Sequence, residues 1–292
     1  MPLPRRFRPS DILAFHRRDP QEVAERVAGD RLDKGIIWNG VPARLTLRFL
    51  SSAVEAELDV DGQAGSSGAP ALERLMRRML GLDQDVDGFE RKFIHHPTVG
   101  RLIERHRGLR VPVAATPFEA LTWAVTGQQV SVKAAVAVRR KLIAASGARH
   151  SSGLCCYPDD RRVAALGEET LRLAGYSGAK AAALLAVARQ AMDRSLPLDD
   201  WLEVLPAALA RERLLAVRGI GPWTVDYTLL RGFGWLDGSL HGDVAVRRGL
   251  QGLLDVTGKI GEAQARDWLS AFSPWRALMA AHLWAAQGSS DQ

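Results

Sequence analysis

Two short runs near the start of the chain alternate apolar and polar residues. One is Leu45-Thr-Leu-Arg-Phe and the other is Val54-Glu-Ala-Glu-Leu-Asp-Val, with Ser51-Ser52 near the turn between them. A period of two puts the apolar side chains on one strand face, so the pair predicts a half-buried antiparallel hairpin. Gly35-Ile-Ile-Trp adds a candidate strand. Asp61-Gly-Gln-Ala-Gly-Ser-Ser-Gly then reads as a loop. Beyond it Leu72, Leu75, Met76, Met79 and Leu80 recur at helical spacing, which gives a small sheet backed by helix.

From about residue 96 the pattern is helical almost throughout. Thr116-Pro-Phe-Glu119 has the form of a capping box with Pro117 at the first helical position, and that helix runs toward Gly127. A second apolar-periodic stretch runs from Ser131 to about Ala145 and stops at Gly147. Gly175 reads as a helix stop and Ser177 as the N-cap of an alanine-rich helix ending near Asp193. Pro206 opens another helix, which ends at Gly219, and Ala263–Ala286 is again amphipathic. The tail Gly288-Ser-Ser-Asp-Gln is expected to fray. The fold class predicted is an α+β N-terminal domain over residues 1–95, followed by a mostly α-helical region over 96–292. That region divides into two helical subdomains flanking a cleft.

Composition narrows the function classes. Hydrophobic residues make up 47% and charged residues 25% of the 292 positions, an ordinary soluble mix. No apolar run spans a bilayer, and the basic start Met1-Pro-Leu-Pro-Arg-Arg-Phe-Arg leads into no apolar segment, so no membrane partner and a cytoplasmic location are expected. The only cysteines, Cys155 and Cys156, are adjacent. They make no structural bridge and have no metal-ligand spacing, and an iron–sulfur cluster would need more thiolates. The net charge of +6 permits an anionic partner. Between Arg101 and Lys141 stand Arg105, Arg107, Arg110, Lys133, Arg139 and Arg140, opposed only by Glu104 and Glu119. That run is either a nucleic-acid footprint or a solvated helix face.

The most informative stretch is Leu214-Leu-Ala-Val-Arg-Gly-Ile-Gly-Pro-Trp-Thr-Val-Asp-Tyr. Helix gives way at Gly219-Ile220-Gly221, and Pro222 starts a second helix where its missing N–H costs nothing. Gly219 can take a positive φ, and Ile220 can plug the turn into the core. The glycines let backbone N–H groups approach an anion at the positive end of the second helix's dipole. Such a turn suits a DNA phosphate, contacted without regard to sequence.

This order of leucines, Gly-Ile-Gly, Pro-Trp-Thr and helix, over about residues 207–231, resembles the helix-hairpin-helix motif of DNA-repair glycosylases. The Gly-rich run Gly232-Phe-Gly-Trp-Leu-Asp-Gly-Ser-Leu-His-Gly-Asp243 follows it as in that family. Thr126-Gly-Gln-Gln-Val-Ser-Val, Pro274-Trp-Arg-Ala-Leu and His282-Leu-Trp284 are similar to the DNA-3-methyladenine glycosylase II branch. The resemblance covers nearly the whole chain, in the N-terminal third by pattern only.

The resemblance implies a monofunctional glycosylase of base-excision repair. It flips an alkylated purine, such as 3-methyladenine or 7-methylguanine, out of double-stranded DNA and hydrolyses the N-glycosidic bond. Asp243 matches the catalytic carboxylate, which stabilises an oxocarbenium-like sugar and helps place water. Asp226 and Asp237 are weaker candidates; Asp226 reads as a surface or paired residue, and Asp237 as serving its loop. Trp223 stands where strand-cleaving relatives carry a lysine nucleophile, and tryptophan cannot form a Schiff base. Trp223, Tyr227 and Trp284 match aromatic pocket positions, where electron-rich rings favour cationic bases. Gln129 matches the residue that fills the gap left by the flipped base, with Gln128 and Val130 beside it. Leucine can stand at that position in relatives, so a polar Gln is a departure. Gly219, Ile220, Gly221 and Thr224 match hairpin positions that contact phosphate, often through a monovalent cation. No other cofactor or catalytic metal is implied, and a monomer is expected. His241-Gly242 precede the aspartate where relatives often carry Pro and Asp. His282 reads as a hydrogen-bonded helix residue.

Two alternatives stay open. One is a glycosylase for another lesion, such as hypoxanthine or uracil. The other is a non-catalytic helix-hairpin-helix DNA-binding protein, which would need neither Asp243 nor the aromatic set.

Overall fold

The computed structural model describes residues 1–62 and 68–287. Most of the Gly/Ser-rich loop and the expected frayed tail lie outside the described residues. The chain opens with helix α1 (Pro9–His16) and an antiparallel sheet of β1 (Glu25–Ala28), β2 (Arg31–Trp38), β3 (Val41–Phe49) and β4 (Val54–Val60). The strands follow in sequence order, and the β3–β4 register pairs Leu45 with Leu58 and Phe49 with Val54. The alternating runs therefore form the expected hairpin. β1 is a further short strand that the periodicity does not announce. Helix α2 (Ala69–Met79) backs the sheet, and Met79 and Leu80 close its core.

Helices α3 (Val86–Phe93) and α4 (Gly100–Arg105) lead into the helical part. Although α3 falls before residue 95, its Phe89 and Phe93 pack with Phe272, Leu278 and Leu283 from the end of the chain. The remaining helices are α5 (Pro117–Gly127), α6 (Val132–Ser146), α7 (Asp160–Leu173), α8 (Gly178–Met192), α9 (Ala207–Ala216), α10 (Pro222–Phe233), α11 (Val244–Leu254), α12 (Glu262–Ser270) and α13 (Arg276–Ala286). The single amphipathic stretch expected over Ala263–Ala286 is divided at Pro274, whose ring and missing N–H do not continue a helix.

Local signals place most helix ends. Thr116, Ser131 and Ser177 each accept a hydrogen bond from the first turn of their helix, and Gly147 ends α6 in the left-handed region. The capping box at Thr116 is only half formed. The Glu119 carboxylate turns instead to Lys34 and Arg139, at 2.7 and 2.9 Å.

Helices α5 and α10 form the spine. Leu121, Val125, Val225 and Leu229 face one helical core, while Ala124, Tyr227 and Leu230 face the other. Gly232 makes close approach possible, since a Cβ there would lie 3.1 Å from the Pro117 Cα. The basic run dissolves as a single face. Arg139 is buried among carboxylates, Arg110 donates to the carbonyls of Gly81 and Gln84, and Arg140 pairs with Asp19 at 2.7 Å. Arg101, Arg105, Lys133 and Lys141 stay exposed. Cys155 and Cys156 are both free and buried. No described helix is long and apolar enough to cross a membrane.

Candidate active site

The hairpin forms as its sequence dictates. Gly219 takes φ +92°, and a Cβ there would lie 3.0 Å from that of Ala183. Both conformation and packing therefore require glycine at this position. Gly221 is different. It is extended, and a Cβ would meet nothing within 4 Å, so the space before the first turn of α10 is open. Ile220 plugs the turn into the core at 5% exposure.

Three segments meet at Asp243. As N-cap of α11, its Oδ1 accepts from the backbone of Ala245 and Val246 at 2.9 and 3.0 Å. Its side chain also receives two indole N–H groups: Trp223 Nε1 donates to Oδ2 at 2.8 Å, and Trp284 Nε1 to Oδ1 at 3.2 Å. The capping role and the site role coexist. Gly249 lets α11 lie against α13, since a Cβ there would be 2.6 Å from the Leu283 carbonyl oxygen. That packing brings Trp284 to the carboxylate.

Trp223 and Tyr227 lie one helical turn apart with centroids 5.3 Å apart, and Tyr227 and Trp284 are at 6.4 Å. The Tyr227 hydroxyl accepts from Trp123 Nε1 at 2.9 Å. A cavity of about 40 Å³ beside Tyr227 is lined by Phe15, Arg18, Trp123 and Arg231, among others. Burial pushes the Arg231 guanidinium down to about 10. Sequence reasoning misses these four residues. Arg231 had a signal, because it continues the Trp223–Tyr227 row by one more turn. Phe15 and Arg18 had none, because they arrive from α1 and its following loop, far away in sequence.

The loop between α5 and α6 sits beside the hairpin. Gln129 holds φ +56°, and both Gln129 and Val130 are exposed at its tip. Gln128 is half-buried and Thr224 is buried. Gln128 Nε2 donates to the Gly219 carbonyl at 3.0 Å and to Thr224 Oγ1 at 2.9 Å, where Thr224 is 2% exposed. These side chains tie the loop to the hairpin. Lys180 ties it from the other side, donating to the carbonyls of Thr126 and Gln128 at 2.8 and 2.6 Å.

Other candidates resolve as structural. Asp226 is buried rather than superficial and pairs with Arg211; burial raises it to about 6. Asp237 anchors Arg276 at 2.8 Å and Ser273 at 3.1 Å. His241 Nδ1 bonds the Ser239 hydroxyl at 2.9 Å.

The HhH-GPD superfamily base excision DNA repair family matches residues 122–272 of this chain, just over half its length. The chain belongs to this superfamily. The matched span of this HhH-GPD protein contains the α5–α6 loop, the hairpin and Asp243, while Phe15, Arg18 and Trp284 lie outside it. DNA-3-methyladenine glycosylase 2 of Escherichia coli K12 is 30% identical over 192 residues, 65% of this chain and 64% of that protein. A probable bifunctional transcriptional activator/DNA repair enzyme AlkA of Mycobacterium tuberculosis is 30% identical over 219 residues, 71% of this chain and 41% of the relative. The chain thus spans less than two thirds of either relative. A 3-methyladenine DNA glycosylase from Archaeoglobus fulgidus superposes with a TM-score of 0.82, covering 99% of this chain and 98% of that one at 20% identity. That likeness is one of fold. A 3-methyladenine DNA glycosylase of Schizosaccharomyces pombe, in complex with abasic DNA, gives a TM-score of 0.60 at 25% identity, covering 70% and 98%.

His282 corrects an expectation. It is wholly buried, neither ring nitrogen has a partner, and it packs on Phe89 with centroids 5.2 Å apart. Burial lowers it from 6.5 to about 3. Between those values the unfolded HhH-GPD chain binds a proton that the folded chain refuses, so stability falls as pH drops. At pH 5 the loss is about 2 kcal/mol. Denaturant titrations at pH 7 and pH 5 should show His282→Leu losing less stability on acidification than the wild type, by roughly that amount. Equal losses would refute this account.

Proposed function

We propose that this chain is a monofunctional DNA glycosylase that releases alkylated purines, among them 3-methyladenine and 7-methylguanine, from duplex DNA. The observation that carries the reading is a single carboxylate, Asp243, held by two indole N–H groups inside an aromatic cluster beside a helix-hairpin-helix turn. Phosphate binding alone needs none of this. A cationic base stacks on Trp223 and Tyr227, a contact worth about 0.5–2 kcal/mol. An alkylated base is already a good leaving group, so one carboxylate facing the sugar suffices to stabilise positive charge and orient water. Trp223 supplies no amine, so the sugar is left intact. Gln129 and Val130 enter the duplex where the base has left it. All these groups come from one chain, which supports action as a monomer.

The test is release of free bases from methylated duplex DNA, followed on gels run with and without alkaline treatment. Free 3-methyladenine or 7-methylguanine should appear, with strand breaks only after alkali. Breaks without alkali would overturn the monofunctional assignment. No base release, with hypoxanthine and uracil duplexes also inert, would leave a binding module.

The hairpin is proposed to hold a DNA phosphate in the open space before Gly221. Gly221→Val should fold normally, because any residue adopts this extended conformation and the space for a Cβ is clear. Its side chain would block the anion, and duplex affinity should fall about 10-fold through lost charge-assisted hydrogen bonds. Fluorescence anisotropy at fixed salt, beside a melting curve, checks both halves. Unchanged affinity would remove the phosphate from Gly221. A monovalent cation is proposed here only as a supplement. The Gly219 and Gly221 carbonyls already accept from Gln128 Nε2 and the Val225 backbone, at 3.0 and 3.1 Å, so an ion would share both oxygens.

A further inference from the structure

We propose that Arg231 determines specificity in the base pocket, its guanidinium donating to the carbonyl oxygen of a flipped 6-oxopurine; this rests on the glycosylase reading above. Arg231 continues the row of Trp223 and Tyr227 along one face of α10. Its guanidinium carbon lies 5.4 Å from the Trp284 ring centroid and 4.8 Å from that of Phe15. The guanidinium of Arg18 lies 4.4 Å from the same Phe15 ring. Two cations therefore share one phenyl group at this end of the cluster.

The carboxylates that line their cavity are committed to other cations, and Asp243 with the Tyr227 hydroxyl offsets the burial of Arg231 only in part. The cavity they line also contains Asp19, Glu25 and Glu119. Asp19 is paired with Arg140, while Glu25 and Glu119 are both paired with Lys34 and Arg139. Arg231 is 8% exposed, Nη1 donates to the Pro112 carbonyl at 2.9 Å, and Nε is buried without a partner. A buried guanidinium with an idle donor is costly unless something completes it. The donor points to an acceptor supplied from outside the chain.

A base stacked on Trp223 and Tyr227 presents one edge toward the end of that row. A 6-oxopurine offers O6 there, and N7 as well when it is not alkylated, a pair that matches a guanidinium fork. A 6-aminopurine offers an amino donor at the same place, and donor would face donor. Repulsion by the guanidinium acts on cationic 3-methyladenine and cationic 7-methylguanine alike, so the difference lies in the acceptor: O6 in the guanine, against N7 beside an opposing amino donor in the adenine. The pocket therefore favours 7-alkylguanine and hypoxanthine over 3-methyladenine, relative to what stacking alone would give.

The test measures both bases in one digest. Duplex DNA treated with a methylating agent carries 7-methylguanine and 3-methyladenine, and chromatography gives the ratio of their initial release rates. The ratio does not depend on how much of a variant is folded. Arg231→Met should lower the ratio of 7-methylguanine to 3-methyladenine about 10-fold. Arg231→Lys keeps the charge without the planar fork and should lower it by a smaller factor. If the Met variant does not fold, the Lys variant decides, a fall of about 3-fold or more supporting the assignment. A ratio within about twofold of wild type in the folded variants overturns it and leaves the glycosylase reading standing. No release by the wild type overturns both.

Discussion

Asp243→Asn is expected to cut base release about 100- to 1000-fold while duplex binding survives, the scale seen when a preorganised charge-stabilising group is removed. Asparagine is as good an N-cap as aspartate, so α11 should keep its start. The amide oxygen can still accept from Ala245, Val246 and Trp284, as Asp243 Oδ1 does. The amide nitrogen then faces Trp223 Nε1, which donates to Oδ2 in the wild type at 2.8 Å. One indole N–H loses its acceptor, at about 1 kcal/mol. What disappears is the negative charge beside the developing oxocarbenium. Single-turnover release from methylated duplex, beside anisotropy binding, separates the two effects. Release within tenfold of wild type would show that Asp243 is only a cap. Loss of both release and binding would show that it holds the hairpin together.

Lys34→Met should destabilise the protein by about 3–5 kcal/mol, the cost of stranding buried charge. Lys34 is wholly buried, and its Nζ lies 2.6 Å from Glu25 Oε1 and 2.7 Å from Glu119 Oε1. Arg139 bridges the same carboxylates at 3.2 and 2.9 Å, and His16 Nδ1 meets Glu25 at 2.9 Å. With His16 neutral the cluster balances, two carboxylates against two cations. Desolvation would raise both glutamates, but Arg139 and Lys34 hold them below their usual range. A depressed carboxylate stabilises the fold above its ordinary pKa of 4.5, and that contribution is lost as pH falls through the folded value. Methionine fills the volume and removes one cation, leaving two carboxylates around Arg139. Denaturant unfolding at pH 7 checks the size, and a loss under about 1 kcal/mol would mean that water or protonation relieves the cluster.

The cluster also bears on the site. It joins α1, β1 and β2 to α5 and α6, and α1 with its following loop carries Phe15 and Arg18 to the cavity beside Tyr227. A partial loosening in Lys34→Met should therefore lower base release more than duplex binding, which uses the hairpin and the α5–α6 loop.

The local elements were legible because their causes are local. Period-two runs became β3 and β4, Thr116, Ser131 and Ser177 became caps, and Gly219-Ile-Gly-Pro became a turn between α9 and α10. Each follows from backbone freedom or from a side chain reaching a near neighbour, so a window of a few residues contains the whole argument. The row Trp223–Tyr227 was legible for the same reason, and Asp243 through its place after the hairpin.

Other features depended on segments that meet only in three dimensions. Glu119 satisfies half of a capping box in sequence, yet its carboxylate serves Lys34, 85 positions away. Gln128 and Thr224 match DNA-contact positions in sequence, and the fold adds a bond between them across 96 positions. Part of the basic run spreads into separate pairs because the segment after α4 and helix α6 turn Arg107, Arg139 and Arg140 toward different neighbours. Charged and polar side chains take whichever partners burial forces on them, and sequence distance says little about which those are. The sequence by itself determined the helices, the hairpin turn and the residue types able to do chemistry. Only the tertiary structure decided which of them face one another around Asp243, because desolvation and close packing act on neighbours in space.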